Sequence, residues 1–223
     1  MINNSTISTA NASYSFWAKS TEIDKNKGLF GHGDYNIGSF HFNYDGSAQR
    51  PLLYLGIDYY RFWNDIPQQD DGIWHHWVVW INTSDITDCK LYCDKVLQTV
   101  DSTASTGNAF AYTEGLTIAS ERAVGGNSYE GNLDEFAWFT SELSQAQVTT
   151  IYNNGSPTDL SGMINLAGYW RNGDPVGEST YPAIFDQTNL TLGAEMVTNG
   201  DFSNGLTGWA AGGGSSLSVS NNQ

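Results

Sequence analysis

The strongest constraint on the fold lies between residues 131 and 155, where a strand pattern runs into a helix pattern with defined ends. Residues 133–139 alternate with a period of two and are rich in aromatic side chains, which is typical of a strand. Ser144 followed by Gln147 predicts a capping box, in which each side chain binds a free backbone N–H near the other. The helix should end at Gly155, because glycine adopts the left-handed conformation at little cost.

About nine strand candidates occur before residue 155, and the Gly, Asn, Asp and Pro residues between them indicate an antiparallel two-sheet sandwich. The segment 74–81 is apolar on both faces, which predicts a central strand covered on both sides. We therefore predict an all-β sandwich with one short C-terminal helix. The candidates are Tyr14–Lys19, Gly28–Gly33, Ser39–Tyr44, Leu52–Ile57, Tyr59–Trp63, Trp74–Asn82, Lys90–Val100, Gly115–Ala119 and Leu133–Phe139.

The charge balance argues against nucleic acid as a partner. The chain of 223 residues has 24 acidic and 9 basic residues and a net charge of −15. Phosphate binding needs clustered Lys and Arg, and beyond position 100 the basic residues are Arg122 and Arg171. No apolar run approaches the ~20 residues of a membrane span, so no membrane partner is expected. Residues 1–13 lack the basic start and apolar centre of a signal peptide.

The two cysteines, Cys89 and Cys93, are predicted to be buried free thiols. Residues four apart on a strand are separated by ~13 Å at a rise of ~3.3 Å per residue. A disulfide needs Cα atoms within ~7 Å, so these two do not pair in that state. Zinc is not favoured, because no cluster of ligands surrounds them in the sequence.

Two runs carry a resemblance to a known family. Residues 132–155, NLDEFAWFTSELSQAQVTTIYNNG, resemble its acidic pair, strand, helix and Tyr-Asn-x-Gly end. Residues 72–81 and 90–95, GIWHHWVVWI and KLYCDK, resemble its Trp-His strand and its hairpin, with lysine in place of the usual final glycine. The family is the concanavalin A-like lectin/glucanase superfamily, of the laminin G and pentraxin kind. The resemblance implies a jelly roll in which Trp74 and His76 are structural.

The resemblance also divides the chain. Residues 1–158 are predicted to form the jelly roll, and residues 159–193 an extension that packs on it through LAGYWRNGD. This continuation is similar to a form common in tailed-phage virion proteins. Residues 194–223, with VTNGDFSNGLTGW, are similar to the start of a carbohydrate-binding module, but they are too few to close one.

The carboxylates lack the pattern of the enzymes on this fold, so no catalytic residue is predicted. Those glycosidases carry two or three carboxylates alternating along one strand, flanking one sugar bond. Glu22 and Asp24 lack a third acid and lie in a polar loop. Asp134 and Glu135 are adjacent and are predicted to point to opposite faces of their strand. The resemblance implies a structural role for Asp134.

Calcium is the one ion that the sequence suggests. Pentraxin-like relatives bind calcium in the loop before the strand that begins here near residue 133. Glu121 and Glu130 are the candidate ligands, but Arg122 stands where an acid is expected. Because calcium takes six to eight oxygen ligands, a double site is not expected and a single structural ion stays open. No other cofactor is predicted.

Glycan binding is suggested by the aromatic run from 58 to 65, DYYRFWND. Alternation places Tyr60 and Phe62 on one face and the other ring residues on the opposite face. One face forms the core; the second is either a ligand surface or another packed layer. The candidate glycan-binding residues are Tyr35, Tyr59, Arg61, Trp63 and Asn64.

Two classes of function follow from the motifs. The first is a non-catalytic virion structural and adhesion protein, in a phage fibre, appendage or capsid decoration, assembled in the host cytoplasm. Its partners are other virion subunits or copies of itself, and cell-surface glycans. The alternative is a carbohydrate-binding accessory domain of a bacterial secreted or cell-surface protein.

Overall fold

The computed structural model describes residues 11–22, 26–32, 38–42, 50–109, 115–121 and 127–172. These residues form two sheets of six strands each and one short α-helix. In chain order the elements are β1 (Ala12–Lys19), β2 (Lys27–Gly31), β3 (Ser39–Phe42), β4 (Leu52–Gly56), β5 (Tyr59–Trp63), β6 (His75–Ile81), β7 (Lys90–Cys93), β8 (Val96–Leu97), β9 (Val100–Ser105), β10 (Thr117–Ile118), β11 (Asn132–Phe139), α1 (Gln145–Tyr152) and β12 (Leu166–Trp170).

Strand order confirms the predicted antiparallel two-sheet sandwich. The first sheet has the order β12-β11-β1-β6-β7-β8, and the second has the order β10-β2-β3-β4-β5-β9. All of these neighbours pair antiparallel. In the first sheet, β1 lies between β11 and β6, so distant parts of the chain meet at its centre. Among the described residues, no helix is long and apolar enough to cross a membrane.

A tight hairpin at Asp94 and Lys95 interrupts one predicted strand. The predicted strand 90–100 is divided into β7, β8 and the start of β9. Asp94 and Lys95 have φ values of 47° and 65°, as the two central residues of a tight hairpin turn require. After the helix, β12 pairs with β11 and belongs to the first sheet. The module predicted from residue 194 lies outside the described residues.

The helix α1 has the predicted ends. Ser144 accepts a hydrogen bond from the backbone N–H of Gln147, and the Gln147 side chain accepts one from the backbone N–H of Ser144. At the other end, Asn153 and Asn154 have φ values of 43° and 55°, and Gly155 has a φ of 90°. These left-handed residues end the helix as the sequence predicts.

An aromatic layer fills the space between the sheets. Tyr14 stacks on Phe30 with ring centroids 4.3 Å apart, and Phe16 stacks on Phe136 at 5.6 Å. All four rings are buried. Tyr14 belongs to the first sheet and Phe30 to the second, so their contact joins the two sheets across the interior.

A second apolar layer covers the opposite face of the first sheet. Val78 and Ala137 project from that face and pack with Val148 and Ile151 of α1 and with Leu160. The first sheet is therefore covered on both sides, as the apolar pattern of residues 74–81 predicts.

Three buried histidines make the fold sensitive to acid. Burial lowers the pKa of His32 to about 4, and it lowers the pKa of His41 and of His76 to about 3. In an unfolded chain their pKa values are about 6.5. Between these values the unfolded chain binds protons that the folded chain excludes. The free energy of unfolding therefore falls as the pH is lowered.

We expect the free energy of unfolding to fall from pH 6.5 to pH 5 by up to about 1.4 kcal/mol per pH unit for each buried histidine. Urea unfolding at several pH values measures this slope. In His76→Asn the slope should be smaller by about one histidine's share, whatever the variant's stability at pH 7. An unchanged slope would mean that His76 is protonated in the folded state.

Candidate functional site

The structure places the predicted glycan-binding face of β5 in the core. Trp63 is fully buried, and Tyr59 is 6% exposed with its hydroxyl accepting a hydrogen bond from the backbone N–H of Ile86 at 2.9 Å. Arg61 Nη1 donates to the carbonyl of Ile86 at 2.8 Å. The period of two is correct, but the choice of face is wrong. Alternation cannot say which side meets the other sheet.

The other two candidates of this set are placed differently. Asn64 is exposed beyond the end of β5, and its backbone N–H donates to the carbonyl of Thr99 at 3.0 Å. Tyr35 lies outside the described residues, so its role stays a prediction.

The outward side of the same strands carries an aromatic surface, which we call the aromatic face: Tyr54, Tyr60, Phe62 and Arg50. Tyr54 and Tyr60 are paired across β4 and β5, and their rings stack at 5.9 Å with an angle of 13° between planes. Phe62 meets Tyr60 edge to face at 5.8 Å. The guanidinium of Arg50 lies over the Phe62 ring at 4.8 Å. All four side chains are partly exposed.

Polar groups border the aromatic face on the side of β9. Arg50 Nη1 donates to Asp101 Oδ2 at 2.6 Å, so its charge is paired. Ser102 lies opposite Phe62 in the register of β5 and β9, and its hydroxyl is 3.2 Å from the same carboxylate oxygen. Rings beside hydrogen-bonding groups are the composition that sugar-binding surfaces use.

The segment around Glu121 covers β2 in the other half of this sheet. A Cβ on Gly31 would lie 1.8 Å from the carbonyl oxygen of Glu121, so the close approach requires glycine there. His41 Nε2 lies 3.6 Å from Glu121 Oε2. Burial lowers the pKa of His41 to about 3, so the ring is neutral at pH 7 and this contact is not an ion pair.

The two candidate calcium ligands have different environments. Glu121 is buried and accepts hydrogen bonds from the backbone N–H and the side-chain amide of Asn127, at 3.0 and 3.2 Å. Glu130 is exposed. In the part of the chain that the structure describes, one group of three potential metal-ligand side chains occurs, and neither glutamate belongs to it. Single-ion calcium binding stays a prediction.

A pocket of about 250 Å³ lies on the helix-covered side of the first sheet. It is lined by Trp17, Trp74, Asp134, Gly155 and Pro157. Trp74 is 39% exposed, whereas Trp17 is buried. Two of the residues predicted to be structural, Trp74 and Asp134, thus form the wall of a concave site.

The third residue predicted to be structural, His76, lies inside the fold. His76 is 1% exposed, and its Nε2 lies 2.8 Å from the hydroxyl of Ser15. Its ring packs on Trp17 at 5.3 Å, and Trp17 in turn stacks on Tyr152 of α1 at 6.1 Å. His76 therefore supports one wall of the pocket from beneath.

A β-bulge overturns the predicted arrangement of the acidic pair. The register between β1 and β11 shifts so that Asp134 pairs with Trp17, and Glu135 has a φ of 49°. Both acids consequently lie on the side of α1 and not on opposite faces. Glu135 is buried, bonded to the Tyr169 hydroxyl and 3.4 Å from Arg171 Nε. Asp134 is therefore the carboxylate of this pair that lines the pocket.

The fold and the aromatic surface define a lectin-like β-sandwich. The chain belongs to the concanavalin A-like lectin/glucanases superfamily, whose family model matches residues 1–149. No curated protein sequence matches the chain significantly.

Three solved structures illustrate what the chain is similar to. A candidate carbohydrate-binding protein from Bacteroides ovatus has a TM-score of 0.61 and 12% identity, with 82% of this chain and 51% of that chain covered. Domain 4 of AbnA, an extracellular arabinanase from Geobacillus stearothermophilus, has a TM-score of 0.44 and 18% identity, covering 65% and 66%. The botulinum neurotoxin serotype C1 binding domain has a TM-score of 0.46 and 14% identity, covering 66% and 37%.

The three similarities do not support the fold equally. The first supports the fold, and this chain spans about half the length of that protein, 51%. No argument rests on the other two, whose TM-scores are 0.44 and 0.46.

We expect Asp134→Ala to lower the free energy of unfolding by about 1–3 kcal/mol, because Asp134 Oδ1 accepts a hydrogen bond from the backbone N–H of Glu135 at 2.8 Å. Asp134→Asn keeps an acceptor oxygen and should lose less. Urea unfolding of both variants at pH 7 makes the comparison. Equal stability of Asp134→Ala and the unaltered protein would contradict the structural role.

Proposed function

We propose that this protein is a non-catalytic structural and adhesion protein of a virion, which binds glycans through the aromatic face. The observation that carries the glycan-binding proposal is the set of stacked, partly exposed rings of Tyr54, Tyr60 and Phe62 on the outside of the sandwich. A large aromatic surface with a polar border is suited to a saccharide, whose C–H groups pack on rings while its hydroxyls find hydrogen bonds.

The strands that carry the rings favour glycan binding without rearrangement of the protein. Tyr54 lies on β4 and Tyr60 and Phe62 on β5, and both strands are within a sheet whose other side is the core. Side chains held on strands lose little conformational freedom on binding, because their positions are already defined.

Electrostatics favours a neutral glycan. The net charge of the chain is −15, which repels anionic sugars over distances set by the ionic strength. The nearest cation on the aromatic face, Arg50, is paired with Asp101 at 2.6 Å. Neutral hexose or N-acetylhexosamine chains are therefore the proposed ligands.

The carboxylates of the described residues support a non-catalytic role. Glu135 is bonded to Tyr169 and lies near Arg171, so it is engaged within the fold. Glu22 is partly exposed in the segment between β1 and β2, and its partner Asp24 lies outside the described residues. Carboxylates flanking one sugar bond, which retaining and inverting glycosidases both need, are not part of the aromatic face.

The virion assignment rests on the sequence. The run from Tyr152 to Gly155 and the following segment to residue 174 resemble tailed-phage virion proteins. Residues from about 194 are proposed to begin a second, carbohydrate-binding-module-like unit. A bacterial accessory domain attached to a secreted or cell-surface protein is the second candidate, which the family membership supports equally.

Binding to an array of neutral and sialylated glycans, followed by calorimetry on the best ligand, tests the glycan proposal. Tyr60→Ala should weaken the affinity about tenfold or more, because a ring contact contributes about 0.5–1.5 kcal/mol beyond its buried area. Trp74→Ala is the matched control, since Trp74 is an exposed ring in the pocket of the other sheet. Its affinity should equal that of the unaltered protein.

Three other outcomes would each contradict a different part of the glycan proposal. Loss of binding in Trp74→Ala with full binding in Tyr60→Ala would move the site to the pocket. Preference for sialylated glycans would overturn the neutral ligand. An array without signal above that of an unrelated acidic β-sandwich would remove adhesion and leave a structural role.

We expect antibodies raised against this chain to label purified phage particles from the source at a regular position in electron micrographs. The physical reason is that a subunit of a symmetric particle occupies equivalent positions in a fixed number of copies. Label confined to the bacterial surface or the culture medium would favour the accessory-domain alternative.

A further inference from the structure

A group of metal-ligand side chains lies at one end of the β6–β7 pair, on the opposite sheet from the aromatic face. His75 begins β6, Cys93 ends β7, and Asp94 is the first residue of the turn to β8. One ligand atom from each of the three lies within 4.8 Å of the other two. Sequence reasoning missed the group, because its members are separated by up to nineteen positions.

The pairing of β6 and β7 explains why these side chains meet. Cys93 lies opposite Trp77 in the register, and His75 has the same parity as Trp77, so both side chains project from one face of the sheet. Asp94 is held at the strand end by two bonds: its backbone N–H donates to the carbonyl of His76 at 2.8 Å, and its Oδ1 accepts from the backbone N–H of His76 at 3.0 Å.

The other nitrogen of His75 has a carboxylate partner as well. His75 Nδ1 lies 2.5 Å from Asp94 Oδ2, and His75 Nε2 lies 3.0 Å from Asp71 Oδ2. Asp71 is fixed in turn by the backbone N–H of Ile73, which donates to Asp71 Oδ1 at 2.8 Å. A carboxylate on the outer nitrogen of a ligating histidine is the arrangement that fixes its tautomer and orientation in metal sites.

We propose that His75 Nδ1, Cys93 Sγ and an Asp94 carboxylate oxygen bind one divalent zinc-class ion, with Asp71 as the orienting partner of His75. A thiolate and an imidazole together select borderline metals such as Zn²⁺ over calcium or magnesium. The three protein ligands leave one tetrahedral position for water or for a ligand from outside the chain.

Metal binding requires small changes in the distances between the three proposed ligand atoms. Ligand lengths of ~2.0–2.3 Å place tetrahedral ligand atoms roughly 3.3–3.7 Å apart. The 2.5 Å separation of His75 Nδ1 and Asp94 Oδ2 therefore opens as the metal enters between them, and the ring proton then resides on Nε2, which donates to Asp71. Cys93 gives up its thiol proton to solvent in the same event. Because this proton is released on binding, binding should strengthen as the pH rises.

The chemical role of such an ion is to join two loops. Asp71 lies before β6 and His75 begins it, whereas Cys93 and Asp94 belong to the β7–β8 hairpin. A metal bound across them stabilises the folded state by the free energy of its binding, since the unfolded chain does not hold the ligands together.

The test uses the reduced 223-residue chain without an affinity tag, titrated with Zn²⁺ by equilibrium dialysis and with Co²⁺ by absorption spectroscopy. We expect one ion per chain, a raised thermal midpoint, and a sulfur-to-cobalt charge-transfer band in the near ultraviolet. Cys93→Ser should lose the band. Cys89→Ser is the matched control: it is also a buried free thiol, and it lies outside the group. It should keep the band and the stoichiometry.

A third variant keeps the proposal testable where a buried substitution disturbs folding. Asp71 is exposed, so Asp71→Asn should not disturb folding. It should weaken zinc binding about tenfold or more without removing the cobalt–sulfur band, because the three residues that bind the metal are unchanged. Failure of the unaltered chain to take up one Zn²⁺ would overturn the proposal. So would a charge-transfer band that persists in Cys93→Ser, or zinc affinity unchanged in both Cys93→Ser and Asp71→Asn.

Discussion

The burial of the first sheet on both faces is the constraint on which the rest of the structure depends. β1 pairs with both β6 and β11. Its pairing with β11 brings together residues more than 120 positions apart, such as Ser13 and Phe139. One face of this sheet meets the aromatic layer, and the other needs α1 and the segment up to β12 to cover Val78 and Ala137. The capped helix is therefore required by the sheet, because an uncovered apolar face would be exposed to water.

The second sheet needs burial only on its inner side, so its outer side is available for binding. Its inner side carries the core, with Phe40 and Trp63 meeting edge to face at 6.3 Å. The segment at Glu121 approaches β2 closely enough to require glycine, but the rings of Tyr54 and Tyr60 stay partly exposed. A sheet with one side in the core can present side chains on its other side without weakening the sandwich.

Local patterns predicted the elements but not the choice between faces. The capping box at Ser144, the apolar strand at 75–81 and the aromatic alternation of β5 were all readable, because each depends on neighbours within about four residues. Which face of β5 forms the core depends on the opposite sheet, so local alternation alone misplaces Trp63 on the ligand side. The short turn at Ile57 and Asp58, which separates Tyr54 from Tyr60, was the available signal for their stacking.

Single-residue irregularities and long-range contacts explain the other differences. The bulge in β11 brings Asp134 and Glu135 to one face, which strict alternation forbids. The group of His75, Cys93 and Asp94 arises from strand register, which a sequence specifies only through the complete sheet. The adjacent residues His75 and His76 lie on opposite faces of β6, and His75 meets Asp94 across the hairpin.

The proposed adhesion function and the proposed virion location support each other through valency. Three rings on a flat sheet contact a sugar chain over a small area, so the affinity of one site should be modest, because much of the contact energy offsets lost freedom on binding. A particle that displays many copies converts the second and later contacts into intramolecular events at high effective concentration. A weak face that many subunits present together therefore gives firm but reversible attachment. The neutral-ligand preference adds to this, since each further copy also adds a net charge of −15 that would repel an anionic surface more strongly.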